Sequence, residues 1–179
     1  MKKVLVLSTS LRPNSNSDLL AEAFADGARK AGHEVEKISL IGVKLGFCIG
    51  CLKCQKTQRC VIRDDADDIV QKMKNMDVLV FATPIYYYEM SGQMKTLLDR
   101  ANPLFPSDYR FRDVYLLASA AENEDSAVDG ALHGLEGWIR CFEKSRLAGV
   151  VRGVGVTDPA EIKTKPEILE QAFRMGNSI

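Results

Sequence analysis

The sequence predicts a doubly wound α/β fold, a five-stranded parallel sheet with helices on both faces. Three observations predict it. Short, continuous apolar runs recur along the chain, as strands covered on both faces require. Stretches of helical period separate them. No internal repeat, low-complexity tract or Pro/Gly/Ser linker breaks the alternation. Strands and helices joined by short connections make a parallel sheet, and right-handed crossovers then place helices on both of its faces. A chain of 179 residues can bury its core as one domain, 1–179, without disulfide staples.

The elements follow in order. Val4–Leu7 is the first apolar run, and it breaks into the polar stretch Ser8–Ser17. Leu20, Phe24 and Ala28 then recur at helical spacing beside Leu19 and Ala23, with Ser15 or Ser17 able to cap, so a helix is expected over 17–31, ended by Gly32. Val35–Ile38 reads as a short strand. Residues 42–63 have no period and carry Gly42, Gly46 and Gly50, which makes them a loop excursion. Asp64–Asp65 can cap a helix bearing Ile69, Val70 and Met73 that ends at Asn75. Val78–Ala82 is the third strand, Thr83–Tyr88 its loop, and Ser91 opens a helix with Met94, Leu97 and Leu98. Val114–Ala118 is the fourth strand. An acidic loop and a helix follow, the latter carrying Val128, Ala131, Leu135, Trp138, Ile139 and Phe142 on a stripe expected to bury Cys141 as well. Leu147–Val156 is the fifth strand, and a last helix follows Pro166 with a fraying tail at 176–179.

Charge narrows the partners. With 24 basic and 24 acidic residues the formal net charge is zero, so no overall field draws the protein to nucleic acid or to an anionic membrane. No apolar stretch has membrane-spanning length, and Met1-Lys2-Lys3 runs straight into a strand, so the expected compartment is the cytoplasm.

In open α/β sheets ligands sit beyond the carboxyl ends of the strands, which selects the loops after strands one, three and four. The first lacks G-x-G-x-x-G and G-x-x-x-x-G-K-[ST], so it suits neither a dinucleotide pyrophosphate nor an ATP loop. Ser10, Ser15, Asn16 and Ser17 instead offer donors at a helix N-terminus, and Arg12 adds a forked cation, which together suit a phosphate monoester. A mononucleotide fits best, although Ser and Asn are also favoured in plain helix caps. In the third loop Thr83, Pro84, Ile85, Tyr86 and Tyr87 can present a rigid backbone and aromatic faces to a flat heterocycle. At least one of Tyr86, Tyr87 and Tyr88 is expected to pack against the next helix or a partner subunit.

Four of the five cysteines, Cys48, Cys51, Cys54 and Cys60, form a C-x2-C-x2-C-x5-C run. In a reducing compartment such a run points to metal or redox chemistry rather than to disulfides. Compact ferredoxin-type runs hold 4Fe–4S centres, and zinc more often uses two separated C-x-x-C pairs, but spacing alone leaves cluster, zinc and free thiols open. Lys53, Lys56 and Arg59 suit an anionic cluster and would equally lower thiol pKa values.

Ser10, Arg12 and Asn16-Ser17, then the cysteine run, then Thr83-Pro84-Ile85-Tyr86, Ser91-Gly92-Gln93-Met94-Lys95 and Leu98-Asp99-Arg100 together resemble one family. Over roughly residues 1–120 the chain is similar to the NAD(P)H-dependent FMN reductases of the flavodoxin-like superfamily, and within them to the iron-sulfur flavoproteins. The resemblance implies FMN, its phosphate at Ser10, Arg12, Ser15, Asn16 and Ser17 and its ring along Thr83, Pro84, Ile85, Tyr86 and Tyr87, with the loop from Ser119 to Asp125 bordering the ring. It implies NAD(P)H as co-substrate, a small-molecule or protein electron acceptor such as a quinone or free flavin, and a homodimer or homotetramer. A 4Fe–4S cluster at the four cysteines would add single-electron transfer, and a non-enzymatic electron carrier or redox sensor is the alternative. No acid-base residue is demanded, because the flavin carries the chemistry. One departure is Ala120-Ala121-Glu122-Asn123-Glu124, which lacks glycine and brings acid where reduced flavin would be anionic. His33, His133, Lys95, Asp99 and Arg100 are expected to serve structure.

Overall fold

A computed structural model describes residues 1–179. In chain order the elements are β1 (Lys3–Ser8), α1 (Asn16–Lys30), β2 (Glu34–Ser39), α2 (Cys54–Thr57), α3 (Asp65–Asn75), β3 (Val78–Tyr86), β4 (Glu89–Met90), α4 (Gly92–Arg100), β5 (Asp113–Ser119), α5 (Asp129–Ile139), β6 (Arg146–Gly153) and α6 (Pro166–Asn177). The parallel sheet runs β2-β1-β3-β5-β6, and β4 pairs antiparallel with β3 at its edge. That parallel order is the 2-1-3-4-5 order of flavodoxin-like sheets, with its switch point between β1 and β3.

The central strands are apolar throughout because each serves two cores. From β1, β3 and β5, Leu5, Leu7, Leu79, Phe81, Val114 and Leu116 face the core under α3, α4 and α5. Val4, Val6, Val78, Val80, Tyr115 and Leu117 face the core under α1 and α6. The second layer is unusually close. A Cβ on Gly27 of α1 would lie 2.0 Å from the Phe173 carbonyl oxygen, and one on Gly176 of α6 would lie 2.0 Å from that of Phe24. The tail therefore does not fray at 176–177: Gly176 is buried in the helix crossing, and the Ile179 carbonyl lies 2.7 Å from His33 Nε2.

Local side chains start the helices where expected. Ser15 Oγ accepts from Asp18 N at 3.2 Å, Asp64 Oδ1 from Ala66 N at 3.2 Å and Ser91 Oγ from Met94 N at 3.3 Å. Four expectations are corrected. The strands number six rather than five, because Glu89–Met90 adds a short one. Thr83–Tyr86 continues β3 instead of forming a loop, since Thr83 and Pro84 stay in register with Ala118 and Ser119 of β5. The last parallel strand stops at Gly153, short of Val156. Cys141 is exposed, because α5 ends at Ile139 and the chain turns away before reaching it.

One buried ion pair ties the loop over 42–63 to this frame. The side chain of Arg100, fully excluded from solvent, donates to both Asp64 oxygens at 2.7 Å, to Gly46 O at 2.7 Å and to Ile62 O at 3.2 Å. Both ends of the cysteine loop thus meet on one guanidinium. Burial works against the Asp64 charge, but hydrogen bonds from Arg100 and the Gly46 amide outweigh it and hold the carboxyl below its ordinary value.

Removing one partner leaves the other charge buried and unpaired, so Arg100→Met should lower urea-measured stability by about 3–5 kcal/mol, whereas Arg100→Met with Asp64→Asn, which removes the unpaired charge but keeps an oxygen for the capped Ala66 amide, should recover part of the loss. An undiminished midpoint in Arg100→Met would contradict a clamping role. Because the Asp64 pKa is depressed on folding, its contribution is present above the unfolded value near 3.9 and is lost as pH falls through the folded one. Urea midpoints should accordingly hold from pH 7 to 5 as far as this group is concerned and drop below about pH 4.

Candidate functional site

The carboxyl ends of β1, β3, β5 and β6 open onto a cleft. Eight of the residues expected to bind a cofactor, Ser10, Arg12, Ser15, Asn16, Pro84, Ile85, Tyr86 and Ser119, line one hollow of about 200 Å³. Ala121, Val156 and Thr157 complete its wall. A second hollow of about 200 Å³ shares Ile85 and Ala121 with the first and is bordered by Tyr87, Tyr88 and Glu122. The two hollows adjoin at these shared residues and together make up the trough.

At its polar end the trough meets the start of α1. No carbonyl or side chain takes the amides of Asn16 and Ser17, the first two of the helix, so both remain free donors. Asn16 itself is otherwise engaged: Nδ2 donates to Asp158 O and Oδ1 accepts from Ile162 N, each at 3.0 Å, which pins the loop after β6 against α1. Arg12 has no carboxylate partner. Its Nη1 donates to Thr157 O at 2.7 Å, setting the guanidinium against the hollow. Ser10 Oγ accepts from Arg12 N at 3.2 Å and shapes the turn.

Two expected residues lie beneath the trough. Ser17 is fully buried, its Oγ 3.5 Å from that of Ser15. Thr83 is also fully buried, and its Oγ1 accepts from Ser91 N at 3.0 Å. Thr9 Oγ1 lies 3.0 Å from Ser91 Oγ and donates to Ala82 O at 2.9 Å. This hydroxyl network joins the first loop, β3 and the start of α4, so Thr83 positions the floor without lining it.

At its other end the trough carries a strained turn. Tyr87 and Tyr88 join β3 to β4 with φ of 50° and 64°, a left-handed pair without glycine or asparagine. The antiparallel pairing of Tyr86 with Glu89 demands it. A Cβ on Gly130 of α5 would lie 2.3 Å from Tyr88 O, so that glycine lets the helix press against the turn. Tyr87 is wholly exposed.

The four cysteines also meet. Cys48, Cys51, Cys54 and Cys60 line a single hollow of about 20 Å³ with Val61, Ile62 and Asn102. All are free thiols; Cys54 is buried, Cys60 partly so, and Cys48 and Cys51 are exposed. Asn102 Nδ2 donates to Cys54 Sγ at 3.2 Å, and the Cys60 amide donates to Asp67 Oδ1 at 2.9 Å. Asp67 also pairs with Arg59 at 2.7 Å. Arg100 is held charged by Asp64, against its burial, with Cys60 adding to the effect. No three His, Cys, Asp or Glu side chains converge on a single metal-ion position. A fourth hollow, about 370 Å³ and mostly apolar, lies between Leu11 of the first loop and Phe47 beside Cys48.

Sequence reasoning missed the loop after β6. Thr157 and the Asp158 carbonyl hold Arg12 and Asn16 in place, and the one available signal was the Gly155 to Pro159 turn beyond a strand's carboxyl end. Lys95 and Asp99 form an exposed pair at 2.7 Å, as structural residues should.

The chain is similar to known proteins in sequence and in fold. An iron-sulfur flavoprotein of Methanocaldococcus jannaschii is 40% identical over 102 residues, which covers 57% of this chain and 53% of that protein. An iron-sulfur flavoprotein of Methanosarcina thermophila is 25% identical over 172 residues, 92% of this chain and 90% of that one. The chain spans about half the length of the first curated relatives it matches. The azoreductase of Bacillus anthracis has the same fold, with a TM-score of 0.74 and 18% identity over the whole of both chains. Residues 2–142 match the family model described as NADPH-dependent FMN reductase, and the chain belongs to that family.

Proposed function

We propose that residues 1–179 act as one FMN-binding domain of an oxidoreductase that passes electrons from NAD(P)H to an acceptor such as a quinone or free flavin. The observation that carries this reading is the trough itself, with free amides and an unpaired guanidinium at one end and a flat, mostly apolar wall at the other. The residues present fit a flavin mononucleotide. When bound, FMN supplies hydride uptake and onward electron transfer.

The chain's own part is binding and placement. The amides of Asn16 and Ser17 and the Arg12 guanidinium would hold the phosphate, with the α1 dipole in support. Ser10 and Ser15 shape that turn, and Ser17 and Thr83 support it from below. Pro84, Ile85 and Tyr86, with Ser119 and Ala121, would lie along the ring, while Tyr87 and Tyr88 overhang the outer hollow. Glu122, at the rim of that hollow, disfavours negative charge on a reduced ring beside it.

Cys48, Cys51, Cys54 and Cys60 have the donor chemistry for a 4Fe–4S cluster, which would supply single-electron steps. A cubane takes one thiolate at each iron, so its ligands surround it rather than converge on one ion. The relatives named iron-sulfur flavoproteins support this assignment. Neutral overall charge and the absence of any helix long and apolar enough to cross a membrane go with a small-molecule or protein electron partner. A cytoplasmic location and a homodimer or homotetramer complete the proposal.

Anaerobically purified protein should take up FMN and oxidise NADH or NADPH with a quinone or free flavin present; uptake without turnover would favour the electron-carrier or sensor reading. Because Arg12 offers a charged hydrogen bond worth about 1.5–3 kcal/mol, Arg12→Gln should weaken FMN roughly 10- to 100-fold by fluorescence titration. Iron and sulfide analysis should give about four of each per chain, falling in Cys54→Ser, and fewer than about two irons would sink the cluster assignment.

A further inference from the structure

The opposite edge of the sheet, where the strands begin, holds an open hollow of about 720 Å³, larger than either half of the trough. Five cations line it: Lys2, Arg110, Arg112, Lys144 and Arg146. Four carboxylates face them, Asp77, Asp113 and Glu143 in the lining and Asp108 beside Lys144, which leaves an excess of one positive side chain on a chain of zero net charge.

Backbone structure fixes the central cation. Arg112 N donates to Asp77 O at 3.0 Å, and Arg112 O accepts from Arg146 N at 2.8 Å, so Arg112 sits between the entries of β3 and β6. Its Nη1 donates to the carbonyls of Tyr109, Arg110 and Phe111 at 3.3, 2.8 and 2.9 Å. Those three bonds hold the guanidinium without neutralising it. The other four cations have carboxylate partners: Lys2 and Arg146 share Asp113 at 3.3 and 2.9 Å, Arg110 meets Asp77 at 2.8 Å, and Lys144 meets Asp108 at 3.4 Å. Arg146 spends only Nε on Asp113, which leaves its two terminal nitrogens free. Burial opposes the Asp113 charge, but hydrogen bonds from Arg146 and Lys2 keep it ionised, so this grouping persists at neutral pH.

We propose that this basal hollow binds a compact polyanion, an oligophosphate group, with Arg112 and Arg146 as its principal forks. Guanidinium forks match phosphate oxygens in pairs, and held forks lose little freedom on binding. No aromatic ring lines the hollow, so recognition rests on the phosphate chain rather than on a base. Its ten lining residues are fewer than the 20–30 a side that a protein partner usually needs. The seven residues of β5 put roughly 20 Å between this edge and the trough, so both sites can be filled at once.

Calorimetric titration with inorganic tripolyphosphate, on FMN-saturated and FMN-free protein, tests the assignment. One site per chain is expected, with the same affinity in both forms and weaker binding as salt is raised. Arg112→Gln with Arg146→Gln should weaken binding at least ten-fold and leave FMN uptake unchanged. Glu143→Gln, which removes an unpaired carboxylate from the lining, should tighten it several-fold, an effect misfolding cannot imitate. No saturable heat, unchanged affinity in the double variant, or displacement of tripolyphosphate by FMN would each overturn the proposal.

Discussion

Burial of β1, β3 and β5 on both faces is the constraint from which the rest follows. Alternate residues of each strand enter different cores, so the doubly covered stretches Val4–Leu7, Val78–Ala82 and Val114–Ala118 are apolar apart from the Tyr115 hydroxyl. Polar chemistry is thereby driven to the two edges of the sheet. At the carboxyl edge Ser8, Thr9, Ser10, Thr83 and Ser119 are all buried polar residues, and their loops surround the trough. At the amino edge Asp77, Arg112 and Asp113 mark the strand entries, and the same confinement gathers charge into the basal hollow.

The cysteine loop obeys a different rule. A segment of about twenty residues without regular period cannot be fixed by strand pairing and needs its own anchors. Arg100 supplies them by drawing Gly46, Ile62 and Asp64 to a single buried cation, while Gln58 is held by Lys74 and Gln71 on α3. The four cysteine residues therefore border one hollow even though α2 is a single turn. The loop also shares the mostly apolar hollow of Leu11 and Phe47 with the first loop, whose Ser10 and Arg12 line the trough.

The legible parts were those in which a local side chain meets a local need. Ser15, Asp64 and Ser91 cap the helices whose amides lie next to them in sequence, so those helix starts could be read directly. Where a distant segment supplies the reason, pattern misled. Helical period carried past Ile139 to Cys141, although the chain turns there. The Tyr87–Tyr88 turn has none of the usual turn residues, and it is the antiparallel pairing of Tyr86 with Glu89 that demands its left-handed backbone. Arg100 looks in sequence like an ordinary helix residue, and only its burial beside Asp64 reveals the clamp.

Sequence by itself determined the alternation of strands and helices, the hydroxyl-rich first loop, the aromatic stretch after the third apolar run and the cysteine run, since each rests on residue types and spacing within one short stretch. The tertiary structure decided what those stretches meet. It added Thr157 and Asp158 to the first loop, spent the Asn16 side chain on Asp158 and Ile162 while leaving its backbone amide free, and extended β3 through Pro84. It also brought five dispersed cations into one basal hollow. Those relations join residues as much as 146 positions apart, and only the packing of the sheet against its helices puts such residues within reach of one another.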